Sequence, residues 1–171
     1  MRHVDFDGSE KFADSRDVIA TVDEVESDIE MTKDCITETE EEIEDLRGEI
    51  DELESSEEPV LVEMDEKLKK VEALEKNLKE YEEELEELED RLEDLKDFVE
   101  DLEGYGDWNC SETLIREDAI DEYLKDEAKD CGGFPDDFPS WITIDWDDTI
   151  DNLKQDYTSA EFQGTEYWMR V

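Results

Sequence analysis

Along the first third of the chain the inward positions step by four and three in alternation: Val18, Val22, Val25, Ile29, Thr32, Ile36, Thr39, Ile43, Leu46, Ile50 and Leu53. That rhythm keeps a stripe on one side of an α-helix and marks a coiled-coil seam. The positions between are almost all charged, and Gly48 is the single helix breaker in the stretch. Ser15 is expected to cap the helix, with Asp17 in the first turn where the helix dipole favours an acid.

A break is predicted at residues 54–59, where Ser55 and Ser56 favour local turn bonding and Pro59 suits the first turn of a new helix. A second seam then runs Leu61, Met64, Leu68, Val71, Glu75, Leu78, Tyr81, Leu85, Leu88, Leu92, Leu95, Val99 and Leu102. Its one fault is Glu75, whose place Leu74 partly takes. Gly104-Tyr105-Gly106 ends it, since a helix C-terminus commonly needs a residue with positive φ. Helices joined by so few residues fold back antiparallel, so residues whose numbers sum to about 114 should oppose one another. Lys67, Lys69, Lys70, Lys76 and Lys79 then face Glu38, Glu40, Glu41, Glu42, Glu44 and Asp45, which favours an intrachain hairpin. Self-association into a homodimer is left open by this pattern.

After Gly106 the heptads stop, and aromatics, glycines and prolines gather. Glu112–Arg116 leads into an amphipathic helix over about 117–130, with Ile120, Tyr123, Leu124 and Ala128 on one face and Cys131-Gly132-Gly133 closing it. Phe134–Trp141 reads as a turn-rich loop. Asp145 is expected to cap a short helix that buries Trp146, Ile150 and Leu153. Residues 158–162 and 165–169, joined by Gln163-Gly164, read as a β-hairpin. The fold expected is mainly α: a flexible N-terminus at 1–14, a long antiparallel coiled-coil helical hairpin at 15–103, and a small α+β module with a C-terminal β-hairpin at 104–171.

Charge changes the picture. The 171 residues hold 60 Asp plus Glu against 17 Lys plus Arg, a net charge of -43. Such a chain repels phosphate backbones and anionic membranes and attracts surfaces lined with Lys and Arg. Direct nucleic-acid binding and membrane binding are therefore disfavoured. Glu outnumbers Asp and Lys outnumbers Arg, which leans away from adaptation to high salt. The lysine-bearing half of the hairpin is matched across the seam, whereas Glu80–Glu103 carries fourteen acids with Arg91 and Lys96 for relief. The acids singled out for binding are Glu82, Glu83, Glu86, Glu87, Glu89, Asp90, Glu93, Asp94, Asp97 and Asp101, with Asp23, Glu24, Glu26 and Glu30 from the facing helix. The hairpin as a whole holds about forty acids over a length of roughly 65 Å, a density that approaches that of duplex DNA, about one negative charge per 1.7 Å of axis.

Catalytic chemistry has little material. Solvated carboxylates share one environment, whereas acid and base roles need environments that differ. The lone histidine, His3, sits in the N-terminus, so neither a histidine triad nor a zinc site is expected. Cys35, Cys110 and Cys131 are odd in number and form no CxxC pair, which points to a reducing, cytoplasmic setting. Asp136-Asp137 and Asp145–Asp148 lack the spacing of a calcium loop. No phosphate loop, dinucleotide glycine pattern, signal peptide or membrane-spanning run appears. The chain is expected to be no enzyme and to need no cofactor and no metal.

Blocks in the last third carry a resemblance: Ile144-Asp-Trp146, Asp156–Ser159, Glu161–Gly164 and Tyr167–Arg170, preceded by Glu112–Arg116. Together they resemble the short acidic module of bacteriophage proteins labelled antirestriction proteins. The resemblance implies a role in countering a host DNA-targeting system, in the host cytoplasm, by presenting a DNA-like surface. On that expectation the chain is a DNA-mimic inhibitor whose partner is a basic, DNA-binding host nuclease, restriction enzyme or other defence complex. The alternative is a structural or adaptor coiled-coil protein of a phage or host assembly.

Overall fold

A computed structural model of the chain describes residues 5–55, 61–131 and 143–171. His3, most of the turn expected at 54–59, Gly132-Gly133 and the Phe134–Trp141 loop lie outside the described residues. The elements in order are β1 (Phe12–Asp14), α1 (Ser15–Glu54), α2 (Leu61–Leu102), a 3-10 turn (Trp108–Cys110), β2 (Thr113–Arg116), α3 (Glu117–Cys131), α4 (Trp146–Leu153), a 3-10 turn (Lys154–Asp156), β3 (Tyr157–Phe162) and β4 (Thr165–Arg170). The chain divides into two compact units, Glu24–Leu92 and Met1–Asp23 with Glu93–Val171.

Within Glu24–Leu92, α1 and α2 form an antiparallel coiled coil. Ion pairs across it join Glu49 to Lys67, Glu42 to Lys70, Arg47 to Glu75 and Lys33 to Glu89, so higher numbers on one helix meet lower numbers on the other. The α1 seam is as the periodicity predicts: Val25, Ile29, Thr32, Ile43, Leu46 and Ile50 are buried, and Ile36, Thr39 and Leu53 are half-buried. On α2 the seam departs from expectation in its first two heptads. Leu61, Leu68 and Glu75 are exposed, while Met64, Lys67, Val71 and Leu74 turn inward. The heptad thus runs without a stammer through 64, 67, 71, 74 and 78, and it holds a lysine in the seam. Lys67 fits because its aliphatic stem can lie along the apolar stripe while the ammonium reaches Glu49. Ile43, Leu46, Ile50 and Val71 form the core here, with Met64, Leu74 and Leu78 packed on it.

In the other unit, four strands pair antiparallel in the order β1-β2-β4-β3. The pleat gives the sheet two apolar faces. Phe12, Ile115 and Trp168 share one face through the pairs Phe12 with Ile115 and Ile115 with Trp168. Ile115 packs there with Ala119, Ile120 and Leu124 of α3 and Ile150 of α4. Leu114, Ala160, Tyr167 and Met169 occupy the opposite face, all buried. Beside Tyr167, the rings of Phe6, Phe98 and Phe162 lie with centroids 4.9–5.9 Å apart.

Two expectations change at the start of this unit, and one strand carries no signal in the sequence. Residues 1–14 are not a flexible tail from Phe6 onward, because Phe6 is 1% exposed and β1 pairs with β2. A single phenylalanine in a polar run gave no periodic signal. Ser15 is not a free cap either: the Asp14 carboxylate accepts the Arg16 backbone N–H at 2.9 Å, while the Ser15 hydroxyl is committed elsewhere. The Glu112–Arg116 lead-in, to which the sequence pattern assigns no element, holds the central strand β2, its apolar pair Leu114-Ile115 too short to register as alternation. The remaining elements follow their sequence signals. Asp145 caps α4 by accepting from Asp148 N–H, and the hairpin β3–β4 turns at Gln163-Gly164, both with positive φ. The left-handed residue expected at the end of α2 is not at the helix terminus: Gly106, at φ +60°, lies four residues beyond Leu102 and turns the chain after the helix has ended.

Candidate functional site

Heptad geometry fixes where the candidate acids go, because residues off the seam point to solvent. In Glu24–Leu92, Glu24, Glu26, Glu30, Glu82, Glu83, Glu86, Glu87, Glu89 and Asp90 are all exposed. So are Asp23, Glu93, Asp94, Asp97 and Asp101 in the other unit. Glu83 and Glu89 are among those that are not the unmatched acids the composition suggested. Glu83 pairs with Lys79 one turn earlier on α2, at 3.0 Å, and Glu89 pairs with Lys33 of α1 at 2.7 Å. Lys33 was hidden within a mainly acidic segment and becomes visible once the helices are paired. Asp94 accepts a hydrogen bond from the Gln163 side chain at 3.2 Å.

The lysine-bearing stretch is compensated locally. Lys69, Lys76 and Lys79 pair one turn away on α2, and Lys67 and Lys70 pair across the helices. The Lys67 hydrogen bond holds the Glu49 carboxyl below its ordinary range. These pairs are exposed and worth little each, so they set register more than stability.

An open groove of about 480 Å³ follows one edge of this coiled coil, lined by Glu42, Asp45, Leu46, Glu49, Glu63, Glu66, Lys67 and Lys70. Another of about 540 Å³ follows the Arg47–Glu75 edge, with Ile43 and Leu78 at its floor and Glu40 and Glu44 on its wall. Leu68 and Leu61 stand one and two heptads before Glu75 on α2, 48% and 74% exposed. Sequence reasoning placed both in the seam and so missed them as surface. An unbroken heptad count through Lys67 and Leu74 would have found them.

In the strand-bearing unit, polar groups serve the fold. Asp14 is held well below the usual carboxylate range, chiefly by its hydrogen bond from Arg16 and also by one from Ser111. Tyr157 is raised by burial and by its hydrogen bond to Glu127, which also pairs with Arg170. Lys129 and Lys154 sit over the rings of Trp146 and Trp168, 5.8 and 5.2 Å from the centroids. Cys35 and Cys110 are free and exposed. Among the described residues no group of three His, Cys, Asp or Glu side chains is arranged to hold a metal ion. No helix among them is long and apolar enough to cross a membrane.

Two long helices meeting through heptads, with charge outside and aliphatics inside, define a coiled-coil protein. A family model described as the ODAD1 central coiled coil region matches residues 20–120, and the chain belongs to that family. The match leaves β1, most of α3, α4, β3 and β4 outside it. No curated protein and no solved structure matches the chain.

Proposed function

We propose that this chain is a structural or adaptor coiled-coil protein, which binds a basic partner protein and catalyses no reaction. One observation carries the reading: the buried positions of α1 and α2 in Glu24–Leu92 form a heptad seam flanked by exposed carboxylates and by shallow, open grooves. A seam of this kind spaces and aligns surfaces, whereas a small-molecule site needs a concave apolar pocket with a few converging polar groups. Membership of a coiled-coil family supports the same reading. The net charge of -43 selects partners rich in Lys and Arg over nucleic acid and anionic membrane.

A second reading is DNA mimicry, as the resemblance in the last third implies. It is favoured by the exposed run Glu82, Glu86, Glu87 and Asp90, which the Lys79 and Lys33 pairs leave in place. The two readings part on one experiment. The full chain is immobilised, a basic protein is retained from a lysate at low salt and released at high salt, and excess duplex DNA is then added to the complex. An adaptor keeps its partner in the presence of DNA, and a mimic is displaced. Retention of no basic protein at low salt would sink both.

A further inference from the structure

Heptad position names what the Arg47–Glu75 edge offers. With Met64, Val71 and Leu78 at a, and Lys67 and Leu74 at d, Leu61 and Leu68 fall at e, as does Glu75. In an antiparallel pair, e faces e across the seam. The Arg47–Glu75 and Lys33–Glu89 ion pairs mark that edge, and the Lys70–Glu42 pair marks the opposite one. Polar residues at e suit a two-helix rod. Leucines there, seven residues and about 10 Å apart, widen the apolar stripe from two positions per heptad to three, which is the stripe of a helix that touches two neighbours.

The second neighbour has a chemistry. Glu72 and Asp65, the latter paired with Lys69, flank Leu68 on its own helix face, at i+4 and i−3. Further along the edge, the groove has Ile43 and Leu78 beneath walls of Glu40, Glu44 and Glu75, with Arg47 held by Glu75. An apolar strip between carboxylates fits a helix with an aliphatic stripe between lysines or arginines. A second copy of this chain is the wrong occupant, since two chains each of net charge -43 repel.

We propose that the edge of the coiled coil running from Leu61 through Leu68 to the Ile43–Leu78 groove docks a basic amphipathic helix of a partner protein, completing a local three-helix bundle. This rests on the adaptor reading and names the face it uses. Binding is read with a three-heptad peptide carrying leucine at a and d and lysine at the flanks, titrated against the full chain at about 0.15 M salt. A second peptide has the leucines replaced by serine and the lysines kept. The chain is tested unaltered, as Leu61→Glu with Leu68→Glu, and as Met31→Glu, an exposed apolar site on α1 (58%) outside the edge.

Docking predicts that Leu61→Glu with Leu68→Glu weakens the leucine–lysine peptide about tenfold or more, although two negative charges have been added, and that the serine peptide binds the unaltered chain weakly. Pure charge attraction predicts the reverse, with every added glutamate tightening both peptides, and that outcome overturns the inference while leaving the adaptor reading standing. Binding of neither peptide overturns both. Met31→Glu should leave the affinity within about twofold. Sedimentation of the full chain checks the remaining occupant: a dimer dispersed by Leu68→Glu would assign the face to self-association and overturn the proposal.

Discussion

Lys67 occupies a seam position of α2 and turns its ammonium outward to Glu49, 2.5 Å away. The residue one step along, Leu68, is apolar and lies outside. Burial, not composition, decides which of the two the hairpin needs. Lys67→Leu should raise the unfolding midpoint, because it extends the aliphatic stripe for the loss of a surface ion pair. Val71→Ala should cost about 2 kcal/mol, as for other truncations in a small core, whereas Leu68→Ala should stay within about 0.5 kcal/mol. Denaturant melts of the three variants check this. If Leu68→Ala were as damaging as Val71→Ala, the seam would run through Leu68 instead.

The Ser15 hydroxyl ties the start of α1 to a segment more than ninety residues away. It donates to the Trp108 carbonyl at 2.6 Å and accepts the Glu112 N–H at 3.0 Å, with Ser15 wholly buried. Ser15→Ala leaves the buried Trp108 carbonyl and the partly buried Glu112 N–H without this partner and should cost about 2 kcal/mol. Ser15→Asp, which would be an equally good helix cap, should not rescue it, because the cap is already Asp14 and the site has no room for a charge. Equilibrium unfolding of both variants separates the bridging role from the capping role.

Phe6 packs on Phe98, Phe162 and Tyr167 and donates its backbone N–H to the Thr21 hydroxyl at 3.0 Å. Phe6→Ala should therefore cost about 3–4 kcal/mol. Near-ultraviolet circular dichroism should lose intensity from the ring cluster, while the helical signal persists. A change within experimental error would return the N-terminal residues to the status of a tail.

How much of this was legible differs by element for physical reasons. The α1 seam from Val25 to Leu53 could be read directly, because eleven positions from Val18 repeat one signal and only a helix shares that period. The first heptads of α2 could not, since Lys67 is polar by type and inward by position, and the apolar Leu61 and Leu68 offered a plausible detour. Strands β1 and β2 are three and four residues long, below the length at which alternation declares itself, and they exist through pairing with each other and with β4. The acids of the candidate surface were legible as exposed, but Lys33–Glu89 required knowing which residues face across the helices. Charge counts along one strand of sequence do not contain that pairing.

Tyr167 gives the fold an alkaline limit. Its ring is fully buried and its hydroxyl donates to the Glu10 carbonyl at 3.0 Å. Burial, then the nearby Glu10 charge, pushes it up to about 12. A folded-state value above the ordinary one of about 10 means that the neutral form is favoured by folding. That contribution is whole below about pH 10 and is lost as pH rises toward 12. Tyr167→Phe should flatten the stability curve across this window, while lowering stability near pH 7 by about 1 kcal/mol for the lost hydrogen bond. Tyr157, also raised, keeps part of the slope until Tyr157→Phe is added. Denaturant midpoints at several alkaline pH values read the effect, and an unchanged slope in the double variant would contradict it.

Salt should strengthen the acidic part of α2 and leave the lysine-bearing part indifferent. Glu82, Glu86 and Asp90 are exposed at successive four-residue steps, and each such like-charge pair opposes the helix by a few tenths of a kcal/mol at low ionic strength. Around Lys67, Lys69, Lys70 and Lys76, attractive pairs stand in place of repulsive ones, and screening removes their small benefit. Raising salt from about 10 mM to 0.5 M, where screening shortens from roughly 30 Å to a few ångströms, should slow amide exchange over Glu82–Asp90 and leave it level or slightly faster over Lys67–Lys76. Glu86→Lys should imitate the salt, because it turns the two repulsions with Glu82 and Asp90 into attractions. Its own salt response should then be smaller than that of the unaltered chain. Equal salt responses in the two proteins would mean that the field on this helix is already neutralised by partners across the seam, and that the exposed acids do not act on the fold as a repulsive row.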